Sequence, residues 1–442
     1  MATATLILPN IFIIVWGLRR AIRNNILRQH HNWVVVIVFL ADLILTIYLI
    51  NIFTPFGLIF WEIAFLVIPL CILIGLICGV RILKAKRGKI PKYKHNFLVA
   101  SLIFSIAFSI FAFTPTVWNY SLGQHFEQEF QSALGEDYFE QIPEKYRNRL
   151  MRSGRYWDMQ DLRNFYNRDI EMETIDYGEG KYQILDKYED PKIEEEDKPA
   201  FIFVHGGGSL ASEPGGTGKW ECVYFASLGF VSFSIEYTPA PIEPFPRAVT
   251  DVMQGLVFIK AHHEEYNIEN DSIVLYGGSR GGHLVTQVAY VGANNEDWWR
   301  EQGANYTANQ LKVACVVDLY GAVDQIYEYE HNGYLDTRNR IIFEGSYPEQ
   351  KTIYEKHTVK NYVSQDTPPT LIMHGTLDGM VMVGQSRELV AVLEEENTDY
   401  IYLEVPYGQH GFDVVPGTAG NRLAHYFIPR FILAVLYGDG FQ

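Results

Sequence analysis

Ser279 lies in the segment Tyr276–Gly282, which directly follows the apolar run 272–275 and precedes a helix-like segment from His283 to Val291. The pattern Gly-x-Ser-x-Gly is typical of a strand-to-helix turn that is too tight for large side chains and that projects the serine hydroxyl into a cleft. An activated hydroxyl in this position can attack an acyl carbonyl carbon. The pattern alone is weak, because most glycine-rich turns between a strand and a helix have no catalytic role.

A serine hydroxyl is a feeble nucleophile without a base, and the chain offers one at the expected place. His410 follows a strand-like stretch and can accept the proton of Ser279 and later deliver it to a leaving alcohol. Asp378 follows another strand-like stretch and can hold the imidazole tautomer and stabilise the imidazolium. The sequence therefore predicts a catalytic triad of Ser279, Asp378 and His410.

The negative oxygen of a tetrahedral intermediate needs hydrogen-bond donors that already point at it. The motif His205-Gly-Gly-Gly208 follows the strand-like run 200–204. Its glycines let a substrate approach the backbone closely, so we expect the N–H groups of Gly207 and Gly208 to serve as donors. The N–H of Arg280 is the third predicted donor of this oxyanion hole.

Other residues compete for these roles. His374 is an alternative base, but it precedes Asp378 at the same strand end, which breaks the expected chain order. Asp324 is the alternative acid, because some hydrolases take the acid from the preceding strand. His205 is expected to steady the glycine loop by hydrogen bonding. Three further histidines are interpreted as structural: His262, His263 and His283.

Strand-like and helix-like patterns alternate from Glu171 onward. The predicted strands are 172–177, 181–186, 200–205, 230–236, 272–277, 313–319, 369–374 and 400–405. The predicted helices include 218–228, 246–264, 280–292, 384–395 and 420–437. Such alternation favours an α/β fold with a mostly parallel sheet covered by helices on both faces. All the motifs then gather at the carboxyl ends of strands, where such sheets place reactive groups.

The motifs together resemble those of the hormone-sensitive-lipase-like esterases of the α/β-hydrolase superfamily. The matching segments are His205–Gly208, Tyr237–Pro246, Gly277–His283 and His410–Phe412. The resemblance covers roughly residues 172–440. It implies an α/β-hydrolase fold and a carboxylesterase that uses Ser279, Asp378 and His410, with no metal and no organic cofactor.

Two residues depart from that family pattern. Gly278 stands where the family usually has Asp, and Arg280 stands where it usually has Ala. The Arg280 side chain has two interpretations that the sequence leaves open. It either steers an anionic substrate or points away and pairs with one of the domain's many carboxylates.

Long apolar runs occupy the first quarter of the chain. The three longest are residues 33–53, 57–80 and 97–116. Each reaches the roughly 20 residues that a helix needs to cross the hydrocarbon core of a bilayer. Residues 4–18 are a shorter candidate for a fourth span. The sequence therefore predicts an all-α transmembrane region of three or four helices, with Asp42 and Glu62 interpreted as tolerated within an anchor rather than as a transport site.

The basic loops set the predicted orientation. Clusters of Arg and Lys at 19–28 and 81–94 flank the hairpin of the runs 33–53 and 57–80, and the positive-inside rule assigns both clusters to the cytoplasm. Residues after about 117 then lie on the extracytoplasmic side of a multi-pass membrane protein.

Charge divides the chain in the same way. Residues 1–118 hold eleven Lys and Arg and two acids, which gives a net charge of +9. Because the whole chain carries −16, residues 119–442 carry a net charge of −25. So acidic a domain is a poor partner for nucleic acid.

Three parts are predicted: a transmembrane region at 1–118, a helical linker or cap at 119–170 and a catalytic domain at 171–442. Cys222 and Cys315 are interpreted as buried thiols, although a disulfide between them is the alternative.

These expectations combine into a membrane-anchored serine carboxylesterase that contacts the lipid bilayer and hydrolyses short to medium acyl esters of a small molecule, a lipid or a glycan. A serine peptidase or an acyltransferase is the alternative, because the same triad serves all three and the acyl acceptor is invisible in sequence. A membrane sensor whose hydrolase-like domain only binds a ligand is the alternative from a different class.

Overall fold

The computed structural model describes residues 99, 102, 103, 106, 121–152, 169–207, 218–331, 336–414 and 418–442. The predicted spans lie outside these residues, apart from four helical positions within 97–116. Within the described part of the chain, no helix combines the length and the apolar character that crossing a membrane requires. Residues 119–442 form one compact unit.

A single eight-stranded sheet runs through this unit. Its strands are β1 (Glu171–Asp176), β2 (Ile184–Glu189), β3 (Lys198–Val204), β4 (Val231–Ile235), β5 (Ile268–Gly278), β6 (Cys315–Leu319), β7 (Thr370–Gly375) and β8 (Tyr400–Val405). Their spatial order is β1-β2-β4-β3-β5-β6-β7-β8. β2 pairs antiparallel with β1 and β4, and the other neighbours are parallel. The prediction of a mostly parallel sheet is confirmed.

Helices connect most of these strands. Residues 121–134 are helical and are named α1. The others are α2 (Tyr138–Gln141), α3 (Glu144–Arg147), α4 (Lys219–Leu228), α5 (Arg247–Ala261), α6 (Arg280–Asn294), α7 (Glu296–Glu301), α8 (Ala308–Leu311), α9 (Gln325–His331), α10 (Asp336–Ile342), α11 (Lys351–Lys356), α12 (Gly384–Glu395) and α13 (Ala419–Tyr437). The five predicted helices correspond to α4, α5, α6, α12 and α13.

Alternation along the central strands builds a core on each face of the sheet. Phe201 and Val274 contribute to the core that α4 and α13 cover. Their neighbours Ile202 and Leu275 contribute to the opposite core, which α5, α6 and α12 cover. Both faces of the strands are therefore buried, as a parallel sheet with helices on both sides requires.

The segment before the sheet packs onto α13. The ring centroids of Phe126 and Phe130 lie 5.5 and 5.2 Å from that of Phe427. Tyr146 stacks on Tyr437 at 5.2 Å, and their hydroxyl groups lie 3.1 Å apart. This segment shares the core of the sheet, which explains why it needs few aliphatic residues of its own.

β2 begins three residues later than the predicted strand 181–186. The side-chain oxygen of Gln183 accepts a hydrogen bond from the N–H of Gly180 at 2.9 Å, and the N–H of Gln183 donates to the Gly180 carbonyl. These bonds close a turn. The turn uses the first residues of the predicted strand, so pairing starts only at Ile184.

Candidate active site

Ser279 occupies a sharp turn between β5 and α6. Its φ of 58° and ψ of −123° are rare for a residue with a side chain. A Cβ on Gly277 would lie 2.3 Å from the carbonyl carbon of Gly281, and a Cβ on Gly281 would lie 2.0 Å from the Val204 oxygen. The flanking glycines therefore let the turn close and let α6 start directly against β3.

Three predicted residues meet at this turn. The Oγ of Ser279 lies 2.8 Å from Nε2 of His410, and Nδ1 of His410 lies 2.7 Å from Oδ2 of Asp378. Both distances are those of hydrogen bonds. An unbroken chain of hydrogen bonds therefore links the hydroxyl to a buried carboxylate, as a triad requires.

The Asp378 carboxylate is fixed in place on both oxygens. Its Oδ1 accepts hydrogen bonds from the N–H groups of Met380 and Val381, both at 2.8 Å. Burial alone would raise the pKa of Asp378, but the His410 and His374 side chains outweigh burial and hold the pKa at about 2. Asp378 is therefore ionised at neutral pH and stabilises positive charge on His410.

The alternative base and acid have other partners. His374 contacts Ser386 Oγ through Nδ1 at 2.7 Å and the Val381 carbonyl through Nε2 at 2.9 Å. Its Nε2 also lies 3.3 Å from Oδ2 of Asp378, so it supports the acid rather than the serine. Asp324 accepts backbone hydrogen bonds at the start of α9 and forms a 2.5 Å ion pair with Lys360.

The glycine loop approaches the turn closely. A Cβ on Gly206 would lie 3.0 Å from the Gly278 carbonyl oxygen and 3.3 Å from Cβ of Ser279. Gly207 has a φ of +84° and faces open space, and Gly208 lies outside the described residues. Arg280 is the first residue of α6, where a backbone N–H has no acceptor within the helix. Gly206, the residue before the predicted donor Gly207, therefore lies beside Ser279, and the predicted donor Arg280 follows Ser279 directly.

Two residues that the sequence analysis did not single out hold this loop. The buried Oε2 of Glu236 lies 3.2 Å from Nε2 of His205. The Tyr237 hydroxyl lies 3.0 Å from the carbonyl oxygens of both His205 and Gly206, and the Tyr237 and His205 rings stack at 4.3 Å. His205 also contacts the Gly206 oxygen through Nδ1 at 2.9 Å. The expected steadying role of His205 therefore fits the contacts.

Tyr320 and Asp413 form a second unpredicted support. The Tyr320 hydroxyl donates to Oδ1 of Asp413 at 2.6 Å, and its ring packs on His410 with centroids 4.7 Å apart. The same hydroxyl would lie 3.0 Å from a Cβ at Gly278. This contact gives a physical reason for glycine where the resembled family has Asp. The position of Tyr320 directly after β6, next to Gly321, was the available signal.

The Arg280 side chain turns into the protein. It is only 1% exposed, and its Nη1 lies 3.2 Å from Nε2 of His357.

The three histidines that were interpreted as structural each contact a backbone carbonyl. His262 contacts that of Phe258, His263 that of Lys260 and His283 that of His357. Cys222 and Cys315 are free and buried, as interpreted. Across the described ranges, no group of three or more His, Cys, Asp or Glu side chains could hold a metal ion.

Comparisons with known proteins identify the fold. A family model described as BD-FAE matches residues 185–393. Esterase B from Lactobacillus rhamnosis superposes with a TM-score of 0.53 at 19% identity, covering 62% of this chain and 92% of that one. The chain has the α/β-hydrolase fold.

Curated relatives match somewhat more than half of this chain. Esterase LipC of Mycobacterium tuberculosis is 26% identical over 59% of this chain and 64% of its own length. The probable carboxylic ester hydrolase LipM of the same organism is 28% identical over 57% of this chain and 58% of its own length. The match thus spans about three fifths of each relative. Their names support the prediction of a serine ester hydrolase.

Proposed function

We propose that this chain is a serine ester hydrolase of the hormone-sensitive-lipase-like type, which cleaves short to medium acyl esters. The observation that carries the proposal is the hydrogen-bond chain Ser279–His410–Asp378, with distances of 2.8 and 2.7 Å. It begins at a serine in a strained turn, beside backbone donors of the glycine loop and α6. The relatives named as esterases support ester bonds over other acyl bonds.

The geometry suggests a separate role for each of the three residues in forming the acyl-enzyme. Ser279 Oγ attacks the ester carbonyl carbon while Nε2 of His410 accepts its proton, and Asp378 stabilises the imidazolium. The carbonyl oxygen becomes negative and accepts hydrogen bonds from the N–H groups of Gly207 and Arg280. The imidazolium then protonates the leaving alcohol, and the acyl group remains on Ser279.

A water molecule reverses these steps in the second half of the reaction. His410 removes a proton from the water, which attacks the acyl-enzyme carbonyl carbon. Collapse of the second tetrahedral intermediate returns the proton to Ser279 and releases the carboxylic acid. No step uses a metal or an organic cofactor.

The test is hydrolysis of p-nitrophenyl acetate, butyrate and octanoate by the full-length chain in detergent. We expect Ser279→Ala to lower kcat by at least about 10⁴-fold, because it removes the nucleophile. Ser232→Ala is the matched control, since its hydroxyl is buried in β4 and has no hydrogen-bond partner in the described structure. Equal activity of wild type and Ser279→Ala would refute the proposal.

The proposal includes an anchor in residues 1–118, with the hydrolase unit on the extracytoplasmic side. Its support is sequence alone: three uncharged or singly charged runs of 20 or more residues, flanked by basic loops. We expect the full-length chain to stay in the membrane pellet after alkaline carbonate extraction, and protease added to intact cells or spheroplasts to digest the hydrolase unit. Release by carbonate would contradict the anchor, and protection from protease would contradict the orientation.

A further inference from the structure

A buried polar cluster lies beside the nucleophile and plays no part in the triad. We name it the polar chamber and define it by Arg280, Glu328, Arg338 and His357. Arg338 donates to Glu328 Oε1 at 2.7 Å, and Arg280 Nη1 lies 3.2 Å from His357 Nε2. Arg280 is 1% exposed and Glu328 is fully buried.

Several polar atoms of the polar chamber lack a hydrogen-bond partner. On Arg280 these atoms are both Nε and Nη2. The same holds for Nε of Arg338, Oε2 of Glu328 and Nδ1 of His357. An unsatisfied buried donor typically costs about 1–3 kcal/mol, and more when it is charged. A group of unpaired buried atoms in one place requires a partner such as water, an ion or a ligand.

Charge in the polar chamber is not balanced by its own residues. Arg280 and Arg338 supply two positive charges, and Glu328 supplies one negative charge. Burial lowers the pKa of Arg280, to about 10, so its guanidinium remains charged at neutral pH. Burial also holds the pKa of His357 and its neighbour His283 well below the ordinary value, so neither ring adds a charge. A buried excess of positive charge favours an anionic ligand.

The polar chamber adjoins the reacting groups. Arg280 follows Ser279 directly, and the Arg280 guanidinium is close enough to Tyr237, beneath the glycine loop, for the two to interact electrostatically. Burial raises the pKa of Glu328, while the charges of Arg338, Arg280 and His410 lower it. Glu328 therefore lies within electrostatic reach of the catalytic histidine.

The free edge of Arg280 has the shape that a carboxylate fits. Nε and Nη2 lie on the same side of a guanidinium and present two parallel N–H donors. Elsewhere in this chain, the same edge of Arg387 holds Glu404 with Nε–Oε1 and Nη2–Oε2 distances of 2.7 and 2.8 Å. In Arg280 these two nitrogens are buried and have no hydrogen-bond partner among the described residues.

We propose that the natural substrate is an ester that carries a carboxylate, which binds the Nε and Nη2 edge of Arg280 in the polar chamber. The inference rests on the proposed ester hydrolase activity and adds the substrate class. The carboxylate belongs either to the acyl group or to the alcohol, and the experiment distinguishes these two sources. The sequence left two interpretations of Arg280 open: it attracts an anionic substrate, or it pairs with a carboxylate of the domain. We choose the first, because Arg280 has no carboxylate partner among the described ion pairs.

Two pairs of esters test it with the full-length chain. In the acyl pair, mono-4-nitrophenyl adipate is compared with 4-nitrophenyl hexanoate. In the alcohol pair, 4-acetoxybenzoate is compared with 4-acetoxybenzamide. We expect kcat/KM for the acidic member of one pair to exceed that for its neutral partner by about 10- to 100-fold, the worth of a charge-assisted hydrogen-bonded pair.

Variants connect this preference to Arg280. We expect Arg280→Met to abolish the acidic preference and Arg280→Lys to retain only part of it, because an ammonium lacks the paired donors. Glu328→Gln removes the negative charge from the polar chamber and should raise the preference. Opposite shifts at two buried positions would not arise from a general loss of structure. Arg300→Met is the control, since Arg300 is an exposed residue that forms a surface ion pair with Glu296.

The outcomes are separable. Hydrolysis of the neutral esters by wild type, with no acidic preference in either pair, would overturn this inference alone. So would an acidic preference that Arg280→Met and Arg300→Met leave equally intact. Wild type inactive on all four esters would overturn the proposed hydrolase and this inference together. If Arg280→Met does not fold, the opposite shifts of Arg280→Lys and Glu328→Gln decide.

Discussion

Asp378 is held by contacts on both of its carboxylate oxygens. Its two oxygens together contact the backbone N–H groups of Met380 and Val381 and the rings of His374 and His410. The same network is the reason that we propose His410, and not His374, as the base. The nitrogens of His374 contact Ser386 and Val381, and neither is hydrogen-bonded to Ser279.

We expect Asp378→Asn to lower kcat by about 10³- to 10⁴-fold, because an amide would favour the wrong tautomer of His410. Asp324→Asn is the matched control, since Asp324 caps α9 and pairs with Lys360. Steady-state hydrolysis of p-nitrophenyl butyrate measures both. A larger loss in Asp324→Asn than in Asp378→Asn would reverse the assignment of the acid.

At this scale the sequence predicted the residues that have a motif. Ser279, Asp378 and His410 each follow a strand, and their order fixes their roles. Glu236 was not predictable, because it is one of 52 acidic residues and only the fold brings it to His205. The sequence also could not predict that the Arg280 side chain points into the protein, since this direction depends on the packing of α9 to α11 around it.

The start of α6 is the element on which the geometry of the turn depends. Gly281 allows α6 to cross β3 at a distance that excludes any side chain, because a Cβ there would lie 2.0 Å from the Val204 oxygen and 2.8 Å from the His205 oxygen. Both atoms belong to the backbone that leads into the glycine loop. The helix therefore positions the nucleophile and the oxyanion loop together.

We expect Gly281→Ala to lower the free energy of unfolding by about 1–3 kcal/mol or more, because backbone atoms must move to admit the methyl group. Gly379→Ala is the control, since no heavy atom lies within 4 Å of its added Cβ. Denaturant unfolding followed by tryptophan fluorescence compares the two. Equal stability of both variants would contradict the close crossing of α6 and β3.

The elements differ in how well the sequence predicted them. Strands β3 to β7 were found because buried parallel strands read as short apolar runs between turn signals. The short helices α9, α10 and α11 were missed, because segments of six or seven residues are too short for a helical period to stand out. The start of β2 was misplaced because the side-chain hydrogen bond of Gln183 to Gly180 leaves no trace in the hydrophobic pattern.

The whole molecule combines parts of opposite charge. Residues 1–118 carry +9 and the remainder −25. Within the acidic part, the polar chamber is a local exception with two arginines and one glutamate. The net negative charge of this part would repel an anionic substrate of the proposed kind, while the two arginines of the polar chamber would attract it, which favours selectivity over affinity.

Covalent labelling of Ser279 tests the central claim most directly. The full-length chain is treated with a fluorophosphonate, digested and examined by mass spectrometry, with Ser279→Ala and Ser232→Ala in parallel. We expect one phosphonate adduct on the peptide that contains Ser279, the same adduct in Ser232→Ala and none in Ser279→Ala, because only a hydroxyl with a positioned base reacts. An unlabelled wild type, or an adduct that persists in Ser279→Ala, would contradict the assignment of Ser279 as the nucleophile.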